Sequence, residues 1–197
     1  IRDRSRRPSR RCARDRMTGV DRLWNGWRSS YVSSLGADRS PGGGSVFTRI
    51  IESGASDEEA FVIHRADTVF VLLNAFPYGT GHSLVVPYRE VADLELLEPH
   101  EAHELWATVT STVRAVKTAY RPDGVNVGVN LGRAAGGSIA EHLHVHVVPR
   151  WVGDGNFMTA VANTRTLPEP LAETAAKLRV AWPASPPASP SSGPAAQ

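Results

Sequence analysis

The 197-residue chain is 41% hydrophobic and 21% charged, which suits one globular domain with tails and excludes a wholly disordered or fibrous chain. No apolar run approaches the roughly 18 residues of a membrane helix, no signal-peptide pattern is present, and the lone Cys12 cannot form an internal disulfide, so a cytoplasmic location is expected. The net charge of +2 conceals an imbalance, because eight Arg against two Asp give residues 1–16 a charge of +6 and leave −4 for the rest.

Residues 1–19 read as a basic, disordered extension, with Met17 as the expected native start, and nucleic acid is not expected as a partner. The domain is expected over residues 20–182, and the Pro/Ala/Ser-rich residues 183–197 form a disordered tail. After Gly42-Gly43-Gly44, the weak alternation from Ser45 to Ile51 predicts a first strand. Phe61–His64 and Val69–Asn74 predict two more, joined at Arg65-Ala66-Asp67. A loop over residues 76–81 leads to a strand over His82–Val86, ended by Pro87.

A helix is predicted from Glu98, with Pro99 in its first turn, to Tyr120. Leu105, Trp106, Val109, Val113 and Val116 form its expected core stripe, while His100 and His103 face solvent. Arg121-Pro122-Asp123-Gly124 breaks that helix, and strands follow at Val125–Leu131 and His142–Val148. The Gly132–Ser138 segment links them. A last helix spans Leu167–Trp182. The order β-β-β-β-α-β-β-α, with short connections, predicts an α+β fold on a mostly antiparallel sheet.

His142, His144 and His146 alternate with Leu143, Val145 and Val147, so a strand puts three imidazoles on one face and aliphatics on the other. A zinc site strains this spacing. His142 and His146 have Cα atoms roughly 13 Å apart along a strand, whereas ligand nitrogens must lie about 2.0–2.1 Å from one ion. Covalent chemistry at phosphorus suits it better, since a neutral imidazole is nucleophilic at pH 7 and its neighbours can fix its tautomer. Gly136-Gly137-Ser138 just upstream offers amides and a hydroxyl to phosphate oxygens.

The run His-Leu-His-Val-His-Val-Val resembles the signature of the histidine-triad family. Residues 73–87, which include Asn74 and Gly81-His82, are similar to a second family segment, and Val129-Asn130-Leu131-Gly132 to a third. Pro149-Arg150-Trp151, Gly153-Asp154 and Asn156-Phe157-Met158 resemble the bacterial branch that includes diadenosine tetraphosphate phosphorylases, as do Leu23-Trp24, Trp27-Arg28 and Tyr31. The resemblance implies a histidine-triad fold of about five strands with a long helix and a C-terminal helix, in a homodimer to which the helix around Trp106 contributes.

It also implies that His144 attacks the α-phosphorus of a dinucleoside polyphosphate to form a nucleotidyl-histidine, with inorganic phosphate or water as acceptor. His142 and His146 would orient it and stabilise phosphoryl oxygens, with His82 supporting them. Asn74 would bind ribose, Asn130 would place the leaving group, and Gly137 and Ser138 would hold phosphate. Arg133 and Arg150 are candidates to line an acceptor pocket. Hydrolysis, phosphoramidate cleavage and a non-catalytic nucleotide-binding module are the alternatives. Many bacterial relatives carry a Cys-x-x-Cys pair and a His that bind structural zinc. Ser45, Thr48 and Glu90 occupy those positions here, so no zinc and no resident cofactor are expected, and any metal ion would arrive with the nucleotide.

Overall fold

The computed structural model describes residues 44–137, 139–155 and 169–184. The basic extension, the segments around Trp24 and Asn156, Ser138, and all but the first two residues of the 183–197 tail lie outside the described residues.

The first element is a helix, α1 (Val46–Glu52), where the alternation predicts a strand. Seven residues are too few to separate the two periods. The end signal decides: Ser45, in extended conformation, accepts from the Thr48 amide through its side chain and caps the helix. Phe47, Ile50 and Ile51 then fall on one side and pack on the sheet.

Five antiparallel strands follow where the remaining ones are predicted, the last beginning three residues later than His142: β1 (Val62–Arg65), β2 (Val69–Leu73), β3 (Ser83–Pro87), β4 (Gly124–Val129) and β5 (Val145–Arg150). Their order across the sheet is β1-β2-β3-β5-β4, so β5 lies between β3 and β4, and β4 is at an edge. The helix α2 (Pro99–Tyr120) starts at Pro99 behind a capping box in which Glu98 and Glu101 satisfy each other's backbone amides. Arg89 binds Glu101 at 2.5 Å, and this hydrogen bond holds the buried carboxyl at about 2. Arg121 closes α2 in the left-handed conformation before Pro122. The last helix, α3 (Leu171–Val180), is tied down by Arg179 donating to the Val62 carbonyl and by the Tyr120 hydroxyl donating to Glu169 at 2.6 Å.

Both faces of the sheet are covered, but differently. Val69, Val71, Leu73, Val85, Val145 and Val147 pack against Leu105, Val109 and Val116 of α2 and Leu178 of α3. On the opposite face Val62, Phe70, Leu72, Leu84 and Val86 pack against Phe47 of α1. Trp106 is not part of the core stripe. It is 46% exposed, while Thr108 and Thr112 are buried, Thr112 donating back to the Thr108 carbonyl. Among the described residues no helix is long and apolar enough to cross a membrane.

Candidate active site

The three histidines do not all lie within a strand. His146 belongs to β5, whereas His142 and His144 occupy the extended segment leading into it. The alternation persists nonetheless: Leu143, Val145 and Val147 enter the helix-covered core, and Phe47 contacts the rings of His142 and His144 on the other side, at 5.4 and 5.2 Å. His146 is paired with Leu84 of β3 and Gly128 of β4. It therefore has a buried leucine on one flank and an exposed residue without a side chain on the other.

Hydrogen bonds assign the tautomers of the four site histidines. The Tyr78 amide can only donate, and it lies 3.0 Å from His82 Nδ1, so that nitrogen accepts and the His82 proton sits on Nε2. His82 Nε2–H then donates to His146 Nδ1 at 3.0 Å, which leaves the His146 proton on Nε2. His144 Nδ1–H donates to the His142 carbonyl at 2.8 Å, so its Nε2 carries the lone pair. Burial pushes the His144 imidazole below the ordinary histidine value, against the opposing pull of that carbonyl, and keeps it neutral at pH 7. A neutral imidazole with Nδ1–H anchored and Nε2 unprotonated is a nucleophile.

His142 is the exception among the three. Its side chain is 1% exposed, and both ring nitrogens are engaged inside the protein. Nε2–H donates to the Pro87 carbonyl at 2.8 Å, and Nδ1 accepts from the Ser45 hydroxyl at 2.5 Å. The ring therefore does not stabilise phosphoryl oxygens as the resemblance implies. His142 serves His144 through its carbonyl.

The other expected residues divide. Asn74 and His82 share the β2–β3 loop, where the Asn74 amide donates to the His82 carbonyl and Asn74 Oδ1 accepts from the Phe76 amide. That leaves the NH₂, 3.5 Å from His82 Nδ1, as the remaining polar group of the Asn74 side chain. Asn130 follows Val129, which pairs with Val145, so it ends β4 beside the segment holding His144.

The glycine loop is folded onto itself rather than open. The Gly137 amide donates to the Gly132 carbonyl at 3.3 Å and is not a phosphate donor in this conformation. A Cβ on Gly137 would meet that carbonyl at 3.0 Å, which explains the glycine. Arg133 is exposed on a short 3₁₀ turn in the same loop. Arg150 does not line a phosphate pocket: its guanidinium is held by Asp154 through two nitrogens and by Asn126 through the third.

Ser45, Thr48 and Glu90, the positions matched to zinc ligands, do converge on His142. Thr48 Oγ1 donates to Glu90 at 2.7 Å, and the Ser45 amide donates to the same carboxylate oxygen at 2.8 Å. Two neutral hydroxyls and one carboxylate make a poor zinc shell compared with thiolate and imidazole ligands, and the His142 Nδ1 lone pair is already in a hydrogen bond. Among the described residues no group of three or more His, Cys, Asp or Glu suits a metal ion. The donor set does not fit zinc. Sequence reasoning missed the roles of Ser45, Pro87 and the Tyr78 amide. Only Ser45 carried a signal, as a serine in front of a short apolar run.

The HIT domain pattern matches residues 55–152, which include the whole histidine constellation. The chain is 44% identical over 167 residues to the AP-4-A phosphorylase of Mycobacterium tuberculosis H37Rv, a match that covers 83% of this chain and 85% of that protein. The chain belongs to the HIT family. Two solved HIT structures resemble it in fold. A HIT-like protein from Bartonella henselae has a TM-score of 0.58 at 27% identity, covering 69% of this chain and 94% of that one. A zinc-bound HIT protein from Mycobacterium smegmatis has a TM-score of 0.57 at 30% identity, covering 69% and 91%.

Proposed function

We propose that this HIT protein is a nucleotidyltransferase that cleaves diadenosine tetraphosphate, with inorganic phosphate as acceptor. One observation carries the reading: His144 Nδ1–H is anchored on the His142 carbonyl in a buried setting that keeps the ring neutral, so its Nε2 lone pair is the nucleophile. The likeness over most of the chain to an AP-4-A phosphorylase supplies the substrate class.

His144 Nε2 attacks the α-phosphorus, forming a P–N bond as the P–O bond to the leaving ATP breaks. A phosphate oxygen then attacks the same phosphorus, the P–N bond breaks, and ADP leaves with His144 neutral again. The Tyr78–His82–His146 chain presents His146 Nε2–H as a donor for the charge that develops on phosphoryl oxygens. Asn74 lies on the His82 side to take the ribose. Asn130 and the open lane over Gly128 lie on the β4 side for the leaving nucleotide, where a Cβ on Gly128 would meet nothing within 4 Å. The reaction needs no resident metal. A reducing, nucleotide-rich compartment such as the cytoplasm suits such a substrate and the single cysteine.

The working form is a homodimer. β4 is a sheet edge with Val127 44% exposed, and Val127 and Val113 line one groove beside it. Trp106 lies two turns before Val113 on the same helix face, so an apolar strip flanks the unpaired edge. Sedimentation should return twice the 21.3 kDa chain mass, and a monomer at working concentration refutes it.

Product analysis with diadenosine tetraphosphate tests the activity. ATP and ADP formed only with phosphate present is the expected result. ATP and AMP irrespective of phosphate replaces the acceptor with water. No adenylyl adduct under denaturing quench removes covalent catalysis altogether.

A further inference from the structure

Given the nucleotidyl transfer proposed above, we infer that Ser45 is a positioning residue for it, acting on His144 through His142. Ser45 precedes His142 by 97 residues, yet its hydroxyl meets His142 Nδ1 at 2.5 Å in a buried contact. The proton assignments around it are forced. The Pro87 carbonyl can only accept, so His142 carries its proton on Nε2 and Nδ1 must receive one. Ser45 supplies it. The helix-capping contact from the Thr48 amide uses only a lone pair of the same oxygen, so one hydroxyl performs both tasks.

Glu90 keeps Ser45 in place from behind. One of its oxygens accepts the Ser45 amide at 2.8 Å and the Thr48 hydroxyl at 2.7 Å, which commits the Thr48 proton away from Ser45. Gly44, at φ +97°, turns the chain tightly into this clip, where a Cβ would meet Thr48 Cγ2 at 3.0 Å. The neighbouring Leu143 amide is fixed on the Val91 carbonyl at 2.6 Å. Ring and backbone of the His142–Leu143 pair are thereby locked onto the Pro87–Val91 corner. The carbonyl so held is the one that receives His144 Nδ1–H. Ser45 and the Pro87 carbonyl therefore fix the His142 ring and its tautomer from both sides, the ring so held keeps its own carbonyl in place, and the carbonyl aims the nucleophile.

The full chain and its Ser45→Thr, Ser45→Ala and Ser45→Asp variants test this. Threonine keeps both the proton and the cap. Aspartate keeps the cap acceptor but has no proton to give. Ser45→Thr should hold kcat at the wild-type level, whereas Ser45→Ala and Ser45→Asp should lower kcat by about tenfold or more, as loss of a histidine's outer partner does elsewhere, with KM for diadenosine tetraphosphate unchanged. In parallel, ¹⁵N spectra of the imidazoles should show His142 as the Nε2–H tautomer in wild type and Ser45→Thr, and should lose that signature in Ser45→Asp. Wild-type kcat in Ser45→Asp with His142 still Nε2–H makes Ser45 a helix cap only and overturns the inference. A wild-type protein without nucleotidyl transfer defeats the functional reading instead, and the spectra still decide whether Ser45 holds the His142 tautomer together with Pro87.

Discussion

The two faces of the sheet are built from the same strands but hold together by different physics. On the helix-covered face, β2, β3 and β5 contribute valines and leucines against α2 and α3, and each contact is non-directional and backed by many neighbours. On the other face the apolar cover thins to Phe47 and its cluster, and hydrogen bonds of fixed direction run between single atoms: Tyr78 to His82 to His146, and Ser45 to His142. The first face tolerates a lost methyl group at a cost in stability. The second should lose function with one misplaced proton. Stability and chemistry are thus separable here, and each substitution should move mainly one of them.

His144→Ala gives the largest effect. Turnover of diadenosine tetraphosphate should fall by about 10⁴-fold or more, as removal of other catalytic nucleophiles does, while nucleotide binding measured by calorimetry persists. Leu105→Ala on the helix face should do the reverse. It should cost about 2–5 kcal/mol in urea unfolding, with kcat per folded molecule unchanged. His82→Gln, which breaks the relay to His146, should lower kcat by about 10²-fold with little change in KM. If Leu105→Ala instead impairs kcat as much as His82→Gln, the two faces are coupled and the comparison fails.

Titration sharpens the same contrast. Burial pushes His142 and His144 below the ordinary histidine value of 6.5, so below that pH the unfolded chain binds protons that the folded one resists. Their contribution to stability is complete above 6.5 and declines as pH falls towards their depressed folded values. Urea midpoints at pH 7.5 and 5.5 should show this loss, and His142→Asn should reduce it. Smallest of all, Arg150→Ala removes an exposed ion pair with Asp154. It should change stability by about 1 kcal/mol or less and leave kcat and the phosphate KM near wild type. A large rise in the phosphate KM would restore Arg150 to the acceptor pocket.

Local signals carried most of the fold. Period-two alternation located the strands, and Pro99 with the residues 121–124 bounded α2 within a residue. What escaped was settled by distant partners. Ser45–Ile51 fits both periods, and only its docking on the sheet and the Ser45 cap make it a helix. Trp106 follows Leu105 and looked apolar enough for the core, but neighbours in a helix point about 100° apart and Leu105 took the inward place. At the site, His144 and His146 were legible because their spacing is itself the geometry, whereas His82, 64 residues before His146, came only through the family resemblance. The buried role of His142 was not, because the Pro87 carbonyl and Ser45 hydroxyl that capture its ring lie 55 and 97 residues away. Arg150 looked like a phosphate ligand until Asp154, four residues on, claimed its guanidinium.

The alternation around β5 has a consequence for how this protein can fail. Residues 143, 145 and 147 are core and residues 142, 144 and 146 are the site, so a slip by one position exchanges the two sets entirely. Three imidazoles would then meet the valines under α2, and aliphatic side chains would take the places of His142, His144 and His146. No half-correct pairing exists between these states. Catalytic competence therefore doubles as a parity check on β5: a molecule that turns over substrate has this strand in register, and a molecule with it out of register has no core to stand on.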